Sequence, residues 1–288
     1  MGRPQVMASQ PSCGGLRRTV AIATKHHKEL QFGPPLRRLL GLDLVVAAVD
    51  TDELGTFTGE VARPANQLDT ARRKARWAIE HAGTRFGLSS EGAFGPHPDA
   101  PFVPIGLELA VFIDAVDGIE VIERLICGET NFAHVMLTAA DIPAKFLGAV
   151  GFPEHAVVVS PTRSDGPFVK GVQDRGRLDS TVAATIAAHG TACVQTDMRA
   201  HLNPTRQRAL AQLAELLAAR LATGCPSCAA PGWGVIASEP GLRCESCARP
   251  TSLTAADRYG CASNSCRHQE LRPRDGAAPP ASCGHCNP

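Results

Sequence analysis

The stretch CPSCAAPGWGVIASEPGLRCESC, residues 225–247, carries two Cys-x-x-Cys turns with fifteen residues between them. A turn of this kind directs two thiolates at one metal ion, and a second turn completes a tetrahedron of ligands. The spacing falls within the range expected of a structural zinc site. Two further cysteine pairs follow before the end of the sequence. The sequence therefore predicts a small module over residues 225–288 that holds two structural zinc ions, each bound by four cysteines.

Four cysteine turns supply the eight candidate metal ligands of this module. They are Cys225, Cys228, Cys244, Cys247, Cys261, Cys266, Cys283 and Cys286. Two pairings of the turns are compatible with the spacing. We expect sequential sites, in which the first two turns bind one zinc ion and the last two bind the other. The alternative is a crossed arrangement, in which successive turns alternate between the two sites.

The overall composition is that of an ordinary globular protein. With 288 residues, 44% of them hydrophobic and 20% charged, the chain can form one sizeable domain and a small one. No apolar run is long enough to cross a bilayer, and residues 1–18 lack the apolar segment of a secretory signal. We expect a cytoplasmic protein, because clustered cysteines bind metal in a reducing compartment. The expected domains are a disordered leader over 1–18, an α/β domain over 19–224 and the zinc-binding module over 225–288.

Charge argues against nucleic acid as a partner. The formal net charge of the chain is +1. Residues 221–288 alone hold six arginines and five acidic residues, a formal sum of +1. Four thiolates outweigh one Zn²⁺ by two charges, so the module with both ions bound carries a net charge of about −3. A nucleic-acid reader needs a basic face instead. We therefore expect Trp233 and Tyr259 to cover the metal sites rather than to stack on bases, and we expect no membrane partner.

Residues 19–224 alternate between strand-like and helix-like segments. The predicted strands are 19–24, 42–49, 85–91, 107–114, 119–127, 156–160 and 191–196. The predicted helices are 34–41, 66–83, 139–150, 178–189 and 203–224. Val116-Asp117-Gly118 predicts a hairpin between two of the strands. This order indicates an α/β fold with a mixed central sheet and flanking helices, followed by the small zinc-ribbon-like module.

Polar residues at the ends of predicted strands form the candidate binding site, because ligands collect at the carboxyl ends of strands in open α/β sheets. Lys25, His26, His27 and Lys28 follow the first strand and suit an anion such as phosphate. The alternative is a solvated charged turn. Glu91 ends the third strand beside a glycine and suits Mg²⁺, and the alternative there is a surface carboxylate.

Two further polar clusters lie on or beside helices. Asp69 is on the second helix among basic residues, where a solvated helix face with ion pairs is the favoured interpretation. Asp197, Arg199 and Arg206 surround the start of the last helix before the module. The two arginines would neutralise a phosphate or pair with Asp197. Asn203 is expected to cap that helix.

From about Thr19 onward the chain resembles a bacterial family of uncharacterised proteins, described only as a domain of unknown function. The residues that carry the resemblance are ATKHHKE (23–29), GTFTGE (55–60), QLDTARRKA (67–75), SSEGAFGPHP (89–98), TNFAH (130–134), TDMRAHLNPTR (196–206) and CGHCNP (283–288). This resemblance implies no established activity.

The first half of the chain is distantly similar to nucleoside-triphosphate pyrophosphatases of the inosine-triphosphatase type. Thr24, Lys25 and Lys28 match the phosphate loop of those enzymes, Asp69 precedes a Lys-Ala pair on the second helix, and Glu91 precedes a glycine at a strand end. The resemblance implies phosphate binding by the loop and Mg²⁺ binding by the acids. The Asp-Asp-Ser-Gly of those enzymes is Ser-Ser-Glu-Gly in this chain, at residues 89–92.

Two hypotheses on function follow. The first is a Mg²⁺-dependent hydrolase acting on a nucleotide or another phosphorylated small molecule, in which Asp69 and Glu91 are the catalytic residues that hold Mg²⁺. The phosphate-binding residues would be Thr24, Lys25, His26, Lys28, Asp197, Arg199 and Arg206. The second is a non-catalytic scaffold protein that docks a partner through the zinc-binding module. The first requires the charged turns to meet in one cleft.

Overall fold

The computed structural model of the chain describes residues 18–51, 66–97, 100–164 and 166–288. The predicted leader up to residue 17 and the GTFTGE motif at 55–60 lie outside these ranges. The elements within them are β1 (Thr19–Ile22), α1 (Glu29–Leu40), β2 (Asp43–Val46), α2 (Gln67–Ala82), β3 (Phe86–His97), β4 (Ala100–Asp114), β5 (Ile119–Cys127), β6 (His134–Leu137), α3 (Ala144–Val150), β7 (Val157–Ser160), β8 (Val169–Val172), α4 (Arg175–His189), β9 (Ala192–Thr196), α5 (Pro204–Leu221), β10 (Gly234–Pro240), β11 (Thr254–Gly260) and β12 (Gln269–Pro273).

The predicted mixed α/β architecture is confirmed by a five-stranded sheet in the order β2-β1-β3-β4-β5. Strands β2, β1 and β3 are parallel, whereas β4 and β5 are antiparallel to their neighbours. Gly118 has a φ of 62° in the turn between β4 and β5, a conformation that glycine adopts at little cost. This turn confirms the predicted hairpin. Helices α1 and α5 pack against each other, and a shared core of apolar residues joins them to the sheet.

The strands after Cys127 form a separate four-stranded sheet, in the antiparallel order β6-β9-β7-β8. Helices α3 and α4 cover it and share its own core, which includes Leu147, Val157 and Leu178. The strand–helix alternation predicted β7, β9, α3 and α4, but it did not predict β6 or β8 and did not separate these elements from the first sheet. Partner choice depends on strand pairings far apart in sequence, which periodicity does not contain.

Several predicted boundaries differ from the structure, and two of the differences have a clear physical reason. Helix α1 begins at Glu29 rather than at Pro34, so that Pro34 and Pro35 lie inside it. Proline removes a helix hydrogen bond, but Phe32 and Leu36 are fully buried, and this packing outweighs the loss. Strand β3 continues to His97, through residues predicted as a loop, because β4 pairs with it along its whole length.

The site geometry follows from one mismatch in strand length. The ladder between β1 and β3 ends where Ile22 faces Leu88, while β3 continues for nine more residues. The loop that joins β1 to α1 therefore lies beside an edge of β3 that β1 leaves open.

Among the described residues, no helix is both long and apolar enough to cross a bilayer.

Candidate metal centres and a cationic cleft

The cysteine sulfurs form two four-membered groups. One contains Cys225, Cys228, Cys261 and Cys266, and the other contains Cys244, Cys247, Cys283 and Cys286. Within each group the ligand atoms lie within 4.8 Å of one another. A tetrahedral site with Zn–S bonds of about 2.3 Å places its sulfurs roughly 3.8 Å apart. The Sγ–Sγ distances of 3.6 Å for Cys228–Cys261 and 3.9 Å for Cys244–Cys286 fit that geometry.

The pairing is crossed, so the expected sequential pairing is wrong. The physical reason is the antiparallel sheet β10-β11-β12, which runs between the two sites. Strand β10 leads the chain from the Cys225 turn to the Cys244 turn, and β11 returns it to the first end at Cys261. Strand β12 then takes the chain back toward the site of Cys283. The first and third turns therefore meet at one end of the sheet, and the second and fourth meet at the other.

The first two turns are copies of one local structure. Both read Cys-x-x-Cys-Ala-x-Pro, at residues 225–231 and 244–250. The N–H of Ala229 donates to the carbonyl of Cys225, and the N–H of Ala248 donates to that of Cys244, at 2.8 and 2.9 Å. The two alanines have φ values of 60° and 57°. Backbone N–H groups of Cys286 and His285 likewise lower the pKa of Cys283 to about 6, which favours the thiolate that a metal requires.

The module is joined to the larger part of the chain through β5. Gly232 lies so close to Val121 that a Cβ would collide with it. Arg220, on α5, donates both to the carbonyl of Gly232 at 3.2 Å and to that of Ile122 at 2.8 Å, and so bridges the module and β5. Trp233 is buried and stacks on His268 with 5.3 Å between ring centroids. The buried indole is thus packed inside the module rather than presented for base stacking.

The open edge of β3 is occupied by a lysine. The Lys28 ammonium donates to the backbone carbonyl of Ser90 at 2.5 Å. Burial is the main cause that lowers the pKa of Lys28 to about 8, and Arg206 acts in the same direction. Glu91 and Glu108 oppose the shift. A cation held in this position is poorly solvated and gains from a neighbouring anion.

Three ion pairs lie around Lys28 and its neighbour His26. Lys74 lies 2.6 Å from Glu91, and Arg206 contacts Glu108 at 2.6 and 3.2 Å. The third pair joins Arg199 to Asp197 through two nitrogens, with a shortest distance of 2.6 Å. Each of these three carboxylates has a cation as a partner. Lys28 is a fourth cation, and within the described ranges its ammonium donates to a neutral carbonyl.

Two histidines lie beside Lys28, Arg199 and Arg206, and we call the region between these side chains the cleft. The rings of His26 and His201 stack with 5.2 Å between centroids. Burial, followed by the charge of Lys28, lowers the pKa of His26 to about 3, so its ring is neutral at pH 7. Within the described ranges, His26 Nδ1, His201 Nδ1 and Ser90 Oγ are buried without a hydrogen-bond partner. Buried polar atoms are rarely left unpaired, so these three atoms indicate a ligand or water in the cleft.

The family model described as Domain of unknown function (DUF6671) matches residues 74–288. The chain belongs to this family. The matched region contains β3, the cleft residues from Lys74 onward and both four-cysteine groups. The DUF6671 match starts at Lys74, whereas the resemblance predicted from the sequence began near Thr19. No curated protein matches the chain.

The cleft of this DUF6671 protein contains several of the predicted site residues. His26, Lys28, Arg199 and Arg206 interact electrostatically, and Glu91 acts on Lys28. Asp197 joins them through Arg199, and the Thr24 hydroxyl accepts the N–H of His26 at 3.1 Å.

Two predicted residues have other partners. The Asp69 carboxylate contacts Arg72 at 3.1 Å and the Asn66 side chain at 2.8 Å. Lys25 pairs with Asp50 at 2.5 Å. The two acids expected to hold Mg²⁺ therefore face different partners, with Glu91 paired to Lys74. Among the described residues, the groups of three or more close ligands that fit a metal ion are the two cysteine sets.

Sequence reasoning gave no role in the site to Lys74, Ser90, Glu108 or His201, although Lys74 and His201 lay within its polar clusters. The sequence could have indicated that Glu108 is a buried carboxylate, because it interrupts the apolar run of a predicted strand, Leu107–Asp114. A carboxylate in such a position needs a cation. The partner, Arg206, lies 98 positions away.

Proposed function

We propose that this protein binds and hydrolyses a phosphorylated small molecule of the nucleotide class in the cleft between the two sheets. The observation that supports the proposal is the fourth cation, Lys28, which is buried beside the ion pairs of Glu91 and Glu108. A phosphate would neutralise it and would accept further hydrogen bonds from the Arg199 guanidinium and the neutral imidazoles of His26 and His201. The distant similarity of Thr24 and Lys28 to the phosphate loop of inosine-triphosphatase-type enzymes agrees with this assignment.

Hydrolysis is assigned through Glu91, whose side chain pairs with Lys74 of α2 on the face of β3 opposite to that of Ser90, and which still acts on the Lys28 ammonium at the edge of the strand. Of the carboxylates that raise the pKa of Lys28, Glu91 acts most strongly, so it lies next to the proposed phosphate. It would orient the attacking water, while Lys74 holds the carboxylate in place at 2.6 Å. Mg²⁺ brought in with the phosphates would polarise the phosphoryl group. Asp69 is left out of this assignment because its carboxylate pairs with Arg72.

Calorimetric titration with inorganic tripolyphosphate tests the binding step. We expect binding by the wild type, and at least a tenfold loss of affinity in Lys28→Met. Lys145→Met, an exposed lysine on α3, is the charge-matched control. Phosphate release from nucleoside triphosphates with Mg²⁺ tests the chemical step, in which Glu91→Gln should lose turnover but retain binding. Equal binding by Lys28→Met and the wild type would exclude the cleft as the phosphate site.

A second candidate is a scaffold function for the zinc-binding module. It is favoured by large apolar side chains that the module exposes, including Val235, Ile236 and Leu271, which is 50% exposed. Exposed apolar groups of this size often mark protein interfaces. A protein that retains both zinc ions but neither binds tripolyphosphate nor turns over any triphosphate would favour this candidate.

A further inference from the structure

A row of stacked aromatic and guanidinium groups leads away from the cleft. The Arg206 guanidinium lies 5.2 Å from the ring centroid of Phe94, and Phe94 stacks on Phe132 with 6.2 Å between centroids and 28° between planes. Arg163 continues the row, with its guanidinium 5.5 Å from the centre of the Phe132 ring. Such groups offer flat surfaces on which another planar ring can stack.

The row ends at a cavity of about 430 Å³. Its walls include Phe132, Arg163, His134 and three prolines, and Phe102 lies at its edge with 88% of its surface exposed. This volume is at the small end of the range for ligand pockets, roughly 300–1,000 Å³. The cavity therefore suits a single ring system and a sugar rather than a larger molecule.

The cavity and the cleft are held in a common framework. Residues 90, 92 and 94 point to the same face of β3, so Phe94 follows the open edge at Ser90 by four residues, or roughly 13 Å. Asn203, which caps α5, donates to the side chain of Asn131 at 2.9 Å. This bond fixes the segment that carries Phe132 against the loop that carries Arg199. A ribose with two or three phosphates can span such a distance.

We propose that the cavity holds the base of a nucleoside di- or triphosphate whose phosphates reach Lys28. This inference rests on the proposed function and adds the part of the ligand that the cleft does not contact. The base stacks against Phe132 and the guanidinium of Arg163, while the prolines exclude water from its edges.

His134 supplies the polar contact in the cavity. Partial burial, followed by the charge of Arg163, lowers its pKa, so the imidazole is neutral at pH 7. A neutral imidazole has one donor and one acceptor nitrogen. It can therefore contact either kind of group on the edge of a base.

The test measures separately how much the base and the phosphates contribute to the binding affinity. Wild type, Phe132→Leu and Arg163→Gln are titrated with the four ribonucleoside triphosphates, the four nucleosides and inorganic tripolyphosphate. We expect at least one triphosphate to bind about tenfold more tightly than tripolyphosphate, a difference of ~1.4 kcal/mol. Both variants should lose that advantage and keep the wild-type affinity for tripolyphosphate. Arg124→Gln, which removes an exposed arginine from β5, should change neither the affinity for the triphosphate nor that for tripolyphosphate.

The possible failures are distinguishable. If every triphosphate binds no more tightly than tripolyphosphate, or if both variants bind like the wild type, the base subsite is wrong and the phosphate site stands. If nucleosides bind in a Phe132-dependent way while tripolyphosphate does not bind, the subsite stands and the proposed phosphate site is wrong. If no probe binds, both are wrong. Arg163 is exposed, so its variant reports on binding even if Phe132→Leu proves less stable.

Discussion

The side chains of Arg206 and Glu108 form a two-point ion pair at 2.6 and 3.2 Å, with 4% and 0% of their surfaces exposed. The pair joins the start of α5 to the middle of β4. Arg206 also donates to the carbonyl of Met198, so it holds the loop that carries Arg199. Gly92 lies directly beneath, and a Cβ at that position would collide with the guanidinium. The cleft is therefore built around a buried pair that is inaccessible to solvent.

Breaking this pair should be strongly destabilising. Glu108→Gln removes the charge and leaves Arg206 buried without a counterion, which typically costs about 3–5 kcal/mol. The matched control is Glu270→Gln, which breaks an exposed pair with Arg272 and should cost less than about 1 kcal/mol. Urea unfolding of both variants with zinc present measures the difference. Similar losses in the two variants would show that Glu108 is not a buried ionised partner.

Phosphate binding should weaken at alkaline pH because Lys28 loses its proton there. Its pKa is lowered from 10.5 to about 8, by burial and by Arg206 and Lys74, against Glu91 and Glu108. The free ammonium is therefore largely charged below pH 8 and neutral above it, whereas an arginine stays charged throughout. We expect the tripolyphosphate affinity of the wild type to fall above pH 8 relative to that of Lys28→Arg, in titrations from pH 6 to 10. A constant ratio across this range would exclude Lys28 as the titrating group.

The same shift affects stability in a defined direction. Because the pKa of Lys28 is lower in the folded than in the unfolded chain, the unfolded chain binds more protons between about pH 8 and 10.5. The contribution of Lys28 to stability therefore rises with pH across that window. Lys28→Met should remove the rise and should increase the urea midpoint at pH 7, where the wild type keeps a buried charge. A lower midpoint for Lys28→Met would contradict the assignment.

Zinc content distinguishes the crossed from the sequential pairing. The wild type should bind two zinc ions. In the crossed arrangement, Cys225 and Cys261 belong to one site, so the double variant Cys225→Ser/Cys261→Ser should retain one zinc ion. Cys225→Ser/Cys244→Ser damages both sites and should retain none. Sequential pairing predicts the reverse for the two double variants, and atomic absorption on the purified proteins decides between them.

Glycine should stabilise the two copied turns of the module. Ala229 and Ala248 adopt left-handed backbone conformations, which cost a residue with a Cβ roughly 1–2 kcal/mol. Ala229→Gly and Ala248→Gly should each raise stability by about 0.5–1 kcal/mol, measured as the midpoint of zinc release by a chelator. The control is Ala211→Gly on an exposed position of α5, where glycine costs about 1 kcal/mol instead. Loss of stability in the turn variants would show that the alanines are unstrained.

Local signals predicted the elements of the fold well. Asn203 caps α5 with its side chain, as its position before a helical segment predicted, and Asn66 caps α2 in the same way. The start of α1 was missed because burial of Phe32 compensates for two prolines, and burial depends on what the rest of the chain packs against the helix.

The sequence by itself determined which side chains can bind metal, where most helices begin and which turns carry excess charge, because these properties depend on residues within one or two turns of each other. Only the tertiary structure decided which cysteine turns share an ion, which carboxylate faces Arg206, and that Lys28 reaches Ser90, 62 positions away. These pairings depend on the direction in which each strand returns. That direction is set by packing and hydrogen bonding over the whole chain rather than by any single stretch of it.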